Sequence, residues 1–277
     1  MRDKLSASLI FILTIFYSCN TPRYIYSPSP PNNPYFKEKG DSKLTAYYSS
    51  GGDDNKRTGR KNNGFDLQAA YAVSNNWALT AGFFERKEKE IYPFGNYNYF
   101  DSSAVRYKRH ITDFGGGYFI SLDKKRTAFF TIYGGFGLGK FSFNDVGIDK
   151  ARVSYSRFHN SSISKWFIQP SLNLFASNYF RASFIAKFSF VHYGNISTSY
   201  INEELQFYWL DKIINRTVSY VEPTFNVQFG IPPVEWVKVD GGFTFSSDPF
   251  YRNSQIQARF FNASIGLSFD FTKLRKK

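Results

Sequence analysis

Phe180-Arg181-Ala182-Ser183-Phe184-Ile185-Ala186-Lys187-Phe188-Ser189-Phe190 decides the fold of this chain. Every even position is apolar, and the odd positions include Arg181, Ser183, Lys187 and Ser189. A period of two is the signature of a strand with one apolar and one polar face. The same period runs through Phe65–Val73 and Val221–Phe229. Near the end of the chain, Phe261, Ala263, Ile265, Leu267, Phe269 and Phe271 share one face. Asn262, Ser264, Gly266, Ser268 and Asp270 share the other.

Ten strands are predicted, at 42–50, 64–73, 77–87, 105–121, 127–142, 164–175, 179–192, 217–230, 234–246 and 255–271. Connections after even-numbered strands are short, as in Ser74-Asn75-Asn76 and Ala176-Ser177-Asn178. Those after odd-numbered strands are mostly long: 51–63, 88–104, 143–163, 193–216 and 247–254. Short turns at one end and long loops at the other describe a transmembrane barrel, with turns periplasmic and loops extracellular. The expected fold is therefore all-β, a closed antiparallel transmembrane barrel over residues 42–271. It has ten strands, with eight or twelve as the alternatives. A soluble β-sandwich is the competing fold. Strands of 12 to 17 residues with long loops at one end argue against it.

Composition agrees. Of 277 residues, 56 are aromatic (32 Phe, 20 Tyr, 4 Trp), yet mean hydropathy is only −0.38, as expected when strands are apolar on one face. Aromatic richness argues against disorder. One cysteine excludes an internal disulfide. No apolar run in the mature chain reaches the ~18 residues of a membrane helix.

Arg2 and Lys4 precede an apolar stretch from Leu5 to Phe16, an export signal assigned to residues 1–18. Ser18-Cys19 at its end resembles a bacterial lipoprotein cleavage site, although Phe16 and Tyr17 stand where that family carries leucine and a small residue. The resemblance implies an acyl lipid on Cys19 and no other cofactor. Residues 19–41 hold Pro22, Pro28, Pro30, Pro31 and Pro34, five of the chain's 11 prolines, and read as an extended tether between lipid and barrel. The alternative is a docking strap for a partner, with Tyr24, Tyr26 and Tyr35 as its anchors. With an even strand number both termini fall on the periplasmic side. Residues 272–277 are then a basic periplasmic tail.

Gly266-Leu267-Ser268-Phe269-Asp270-Phe271 resembles the outer-membrane insertion signal, with Gly266, Phe269 and Phe271 as its residues. That resemblance implies recognition by the barrel-insertion machinery. As a whole, residues 42–271 resemble the small outer-membrane β-barrels of Bacteroidota-type bacteria, a subset of which are lipoproteins. This implies an integral outer-membrane protein.

A ten-strand lumen is narrow, since an aqueous channel takes ~16 strands. The polar strand faces put Asp66, Asp113, Lys165, Arg181, Lys187, Glu222, Lys238 and Asp240 inside, with Gln68, Gln169, Asn173, Asn226 and Gln228. These charges are expected to pair into a plug, Glu222 with Lys187 and Arg181. Glycines 115–117, 134, 135, 137 and 139 mark bends or close approaches in strands, and most aromatics are expected to face outward.

Catalysis has thin support. His110, His159 and His192 map near the extracellular rim, and His159-Asn160-Ser161 holds a base and a hydroxyl, but no third orienting group is evident. No zinc-ligand spacing occurs, so no metal is expected. The net charge of +13 falls on two rims. Arg57, Arg60, Lys61, Arg86, Lys87 and Lys89 lie where lipopolysaccharide phosphates are, and Lys124, Lys125 and Arg126 lie at the periplasmic turns. Nucleic acid is not an expected partner. The function read from the sequence is a non-enzymatic structural or accessory subunit of a larger outer-membrane assembly, for secretion, uptake or barrel insertion. Tyr97, Tyr99 and Phe100 are loop contacts for such a partner. The alternatives are a small-solute channel and a lipid A or phospholipid hydrolase at the extracellular rim.

Overall fold

The computed structural model describes residues 23–51, 61–92, 100–149, 151–214, 216–232, 234–248 and 257–272. Cys19, Arg57, Arg60, Tyr97, Tyr99, residues 273–277, and the side chains of Lys61 and Phe100 lie outside the described residues.

Ten strands close into one antiparallel barrel. In chain order they are β2 (Ser42–Ser50), β3 (Lys61–Ala72), β4 (Trp77–Tyr92), β5 (Phe100–Ser121), β6 (Ala128–Asp149), β7 (Ser154–Phe175), β8 (Phe180–Thr198), β9 (Thr217–Ile231), β10 (Val234–Phe245) and β12 (Phe261–Asp270). Each pairs with its chain neighbour, and β12 closes on β2, with Leu267 opposite Ala46. The ten-strand barrel expected from the alternation is the one formed. Two short strands stand apart: β1 (Tyr24–Tyr26) pairs in parallel with β11 (Gln257–Ala258).

Closure abolishes sheet edges. The period of two then sorts side chains strictly. Phe65, Leu67, Leu79, Phe114, Leu138, Trp166, Phe184, Phe225, Phe243 and Ile265 are exposed on the outside. An apolar exterior this extensive is what a barrel presents to lipid. Inside, the opposite faces carry buried Asp66, Lys165, Lys187, Glu222 and Asp240.

Five strands are longer than expected by five residues or more, β4 among them, running on to Tyr92. β5, β6 and β7 each run 22 residues, and β8 reaches Thr198. The long loop expected at 143–163 is a tight reversal between Asp149 and Ser154. Above the bilayer the outward face has no need to be apolar. Asn144, Ser156 and Asn160 therefore conceal a strand whose inward face, Phe143 and His159, is buried. The opposite wall is low, with nine residues in β2 and ten in β12. The connection from β8 to β9 folds into α1 (Asn202–Phe207) and a 3-10 turn, Leu210–Ile213. Leu205, Leu210 and Ile213 are buried there in a cluster with Ile25, Tyr26 and Tyr220, capping the long-loop end. Arg157 holds the cap with three hydrogen bonds to Glu204, at 3.0, 3.2 and 3.3 Å.

At the other end, turns are set by local chemistry. Asp123 accepts from the backbone of Ala128 and Thr127 and from the Thr127 hydroxyl. These hydrogen bonds, first that from Ala128, hold its carboxyl below the usual carboxylate range. Gly40, at φ 87°, makes the reversal that feeds the N-terminal segment into β2, with the Asp41 carboxylate accepting from the Lys37 and Glu38 amides.

The glycine-rich stretch of β5 and β6 is a close approach. A Cβ on Gly135 would lie 2.2 Å from the Phe114 carbonyl and 2.8 Å from the Phe167 ring, whereas one on Gly116 meets nothing nearer than 3.4 Å. Gly135→Ala is expected to destabilise the barrel by about 1–3 kcal/mol, the usual cost of overpacking. Gly116→Ala is expected to be neutral. The temperature at which the folded band is lost on unboiled gels checks both.

Candidate functional site: the occupied lumen

Residues 23–36 do not form a tether outside the barrel. They run through it. Arg23 stands at the long-loop end, where it pairs with Asp145 and lies 3.9 Å over the Tyr208 ring. Phe36 stands at the turn end, edge-on to Phe119 at 6.2 Å. The thirteen steps between Arg23 and Phe36, at ~3.1 Å each, span about 40 Å, more than the ~25 Å apolar band of such barrels. The described chain thus enters the barrel at the long-loop end, whereas the sequence reading had the amino-terminal side at the periplasmic end.

Proline explains why this strap fits a polar tube. It has no N–H, so a proline-rich segment presents mainly carbonyl oxygens. The wall meets these with donors. Arg109 donates to the carbonyls of Ile25 (3.1 Å) and Tyr24, and Tyr193 also donates to Ile25 (3.1 Å). Arg86 donates to Pro28 (3.3 Å), Gln68 to Pro30 (2.8 Å) and Gln169 to Asn32 (3.1 Å). Side chains of the strap add their own bonds. Tyr26 donates to Glu222 (2.9 Å) and stacks on Tyr220 at 4.0 Å. Asn33 donates to Asn173 (2.6 Å), and Tyr35 donates to Asn226 and accepts from Ser183 (both 2.9 Å). The three tyrosines named as partner anchors are anchors indeed, but for the barrel's own wall.

The upper lumen holds the densest charge cluster. Arg109 reaches Glu88 at 2.6 Å, and Arg259 reaches Glu88 and Glu90, both at 2.8 Å. Arg259 also lies 3.7 Å over the Tyr24 ring. Tyr92 donates to Glu90 (2.7 Å) and Tyr200 to Asp145 (2.8 Å). With Arg23 on Asp145, three cations meet three carboxylates, all buried. Such a balanced, desolvated set holds together only while every member is present.

The lumen residues named from the sequence all lie inside, with different partners from those expected in places. Lys165 pairs with Asp113 at 2.6 Å. Lys187 faces Glu222 across the ladder, but Glu222 takes its hydrogen bonds from Tyr26 and Ser189 (2.6 Å). Arg181 and Lys238 turn to Asp270 at 3.7 and 3.5 Å. Asp240 accepts from Asn226 (2.6 Å), Gln228, Ser268 (3.0 Å) and Lys43 (3.2 Å). Asp66 accepts from Ser49 at 2.5 Å. Arg86, expected on the extracellular surface, is fully buried against the strap because its β4 position faces inward.

Aromatics also line the interior more than expected. Tyr107, Tyr133, Tyr193, Tyr220, Phe141 and Phe143 are fully buried there. Space confirms how full the tube is. Midway, beside Pro30, Asn32 and Gln68, the remaining cavity is about 30 Å³. At the turn end a vestibule of about 450 Å³, between Trp236, Arg181 and Lys238, stops at Tyr35 and Phe36.

The rim histidines divide. His110 and His192 lie on outward faces. His159 is wholly buried, stacked 5.3 Å from Phe143, and among the described residues neither its ring nitrogens nor the Ser161 hydroxyl meets a polar partner. No three His, Cys, Asp or Glu side chains gather as a metal site among the described residues. Gly266 faces inward, while Phe269 and Phe271 face outward at the end of β12.

Fold and exterior together define an outer-membrane β-barrel with an internal strap. Comparison with solved structures agrees on the fold. The translocator domain of the autotransporter NalP from Neisseria meningitidis matches with a TM-score of 0.50 at 9% identity, over 83% of this chain and 88% of that one. The outer-membrane protease OmpT from Escherichia coli matches at 0.43 and 8%, over 84% and 96%. Ail, the attachment invasion locus protein of Yersinia pestis, matches at 0.32 and 12%, over 84% and 97%. At 9% identity the likeness to the NalP domain is one of fold. No protein-family model matches the chain, and no curated protein does.

Arg109→Ala would leave Glu88 short of a cation and would take one donor from each of the Tyr24 and Ile25 carbonyls, Ile25 keeping Tyr193. We expect a loss of about 3–5 kcal/mol, the usual cost of breaking a buried pair. A urea unfolding midpoint unchanged from wild type would contradict the account.

Proposed function

We propose that this protein is a self-plugged outer-membrane barrel that serves as a non-catalytic structural or accessory subunit of a larger outer-membrane assembly. The observation that carries this reading is the strap. Among the described residues, a lumen threaded by its own chain, with a cavity of about 30 Å³ at its middle, leaves little room for a solute. His159 and Ser161 are buried, His159 against the rings of Phe141 and Phe143, which speaks against the hydrolase alternative. What remains for recognition is the outside of the barrel, the capped long-loop end and the vestibule at the turn end.

The proposal also moves the lipid. Cys19 precedes Arg23 by four residues, and Arg23 is at the long-loop end. With long loops extracellular, an acyl group on Cys19 belongs to the cell surface rather than to the inner leaflet. The strap is then an eleventh crossing of the membrane, made inside the barrel.

Three measurements test this. In planar bilayers the intact protein is expected to be silent, whereas a variant lacking residues 20–36 conducts. Steady conductance by the intact protein would favour the channel alternative. A Thr21→Cys variant is expected to react with a membrane-impermeant maleimide on intact cells; labelling only after the outer membrane is breached would return the amino terminus to the periplasm. Purification in mild detergent is expected to bring a stoichiometric partner, and a barrel that purifies alone would remove the subunit reading.

A further inference from the structure

The outward faces of β4, β5 and β6 change character along a single line. Below it, Phe114 lies 6.0 Å from Phe136, which lies 5.9 Å from Trp166, an apolar surface facing lipid. Above it, successive rows read Glu85–His110–Lys140, then Lys87–Lys108–Ser142, then Lys89–Arg106–Asn144. Five cations thus face outward on three adjoining strands. Among the described residues Glu85 is the carboxylate on that face, 3.2 Å from Lys87 and 3.8 Å from Lys108.

Two of these rows put like charges directly opposite one another, Lys87 against Lys108 and Lys89 against Arg106. Such cross-strand pairs destabilise a sheet. Positions facing water tolerate many neutral residues, so the arrangement makes physical sense when an anion sits over it. A shallow concavity of about 470 Å³ lies there, lined by Lys87, Lys89, Arg106, Lys108, Asn63 and Asn144, and by Glu88, whose carboxylate is turned inward and held by Arg109 and Arg259. Lys87 and Lys108 are more than half exposed, free to reach a ligand.

We propose that this patch binds the phosphorylated sugar headgroup of an outer-leaflet glycolipid, the lipid A portion of lipopolysaccharide. The cations take its phosphates, Asn63, Ser142 and Asn144 face its hydroxyls, and the aromatic surface below takes its acyl chains. Charge complementarity and position argue for this occupant. The cationic rows span about 10 Å across three strands, begin where the apolar belt ends, and lie towards the long-loop end. The proposal rests on the orientation given above, but not on the subunit role or on a silent lumen.

The test compares the wild-type protein with a Lys87→Gln, Arg106→Gln, Lys108→Gln variant and with a control that neutralises Lys124, Lys125 and Arg126 at the turn end. Each is purified in mild detergent and its bound lipid identified by mass spectrometry. Wild type and control are expected to retain phosphorylated glycolipid, and the patch variant to lose at least tenfold. A Lys87→Arg, Lys108→Arg variant should keep it. Equal retention by the patch variant would overturn the proposal, as would equal loss in the control, or phospholipid or inorganic phosphate alone at the patch. Thermal melting gives a second readout. Stripped of lipid, the patch variant should melt no lower than wild type, because repulsion has been removed. Added lipid A should raise the melting point of wild type only. A rise of equal size in both would overturn the proposal.

Discussion

Arg109 ties the wall to the strap. One guanidinium donates to the carbonyls of Tyr24 and Ile25 and to the carboxylate of Glu88, whose other oxygen takes Arg259. The constraint behind it is general. A ten-strand barrel has an interior too narrow for bulk water and a wall whose inner face is polar. Every buried donor and charge there must find a partner inside the tube. Here many of those partners come from fourteen residues of the same chain. The strap offers carbonyls to Arg86, Arg109, Gln68 and Gln169, and hydroxyls to Glu222, Ser183 and Asn226. Wall and strap are each incomplete alone.

The barrel itself was legible because lipid demands it. Where a face must be apolar, alternation is strict, as in Phe180–Phe190 and Phe261–Phe271, and strand number and order follow. The upper parts of β6 and β7 were hidden because water outside relaxes the outward face, leaving Phe143, Asp145 and His159 as an inward pattern with no apolar counterpart. The strap was hidden for a different reason. Proline-rich sequence signals an extended chain without saying what surrounds it, so a solvated tether and a dry plug look alike. Arg86 and Arg109, inward on β4 and β5, were not read as lumen residues, and it is these two guanidinium groups that hold the strap's carbonyls at Tyr24, Ile25 and Pro28. Pairing within the lumen was only partly readable, since Glu222 lies opposite Lys187 yet bonds to Tyr26 and Ser189.

Filling the interior shifts function to the exterior. The wall is tall on the side of β5, β6 and β7, at 22 residues each, and low at β2 and β12. The tall side carries α1 and the 3-10 turn over the strap's first residues, and its outward face bears the cationic rows. The low side leaves β11 beside β1. The molecule is thus filled inside, apolar around its waist and basic on one shoulder, and the proposed subunit role rests on that arrangement.

The central claim is that residues 23–36 thread the lumen. The most direct measurement is a cross-link in a Cys19→Ala background, with Asn33→Cys on the strap and Asn173→Cys on β7, whose native side chains meet at 2.6 Å. A short bifunctional thiol reagent applied to the folded barrel should join them and close a loop that shifts the denatured band. A strap lying outside the barrel would leave the two thiols unjoined while each still reacts singly, and that result would contradict the account.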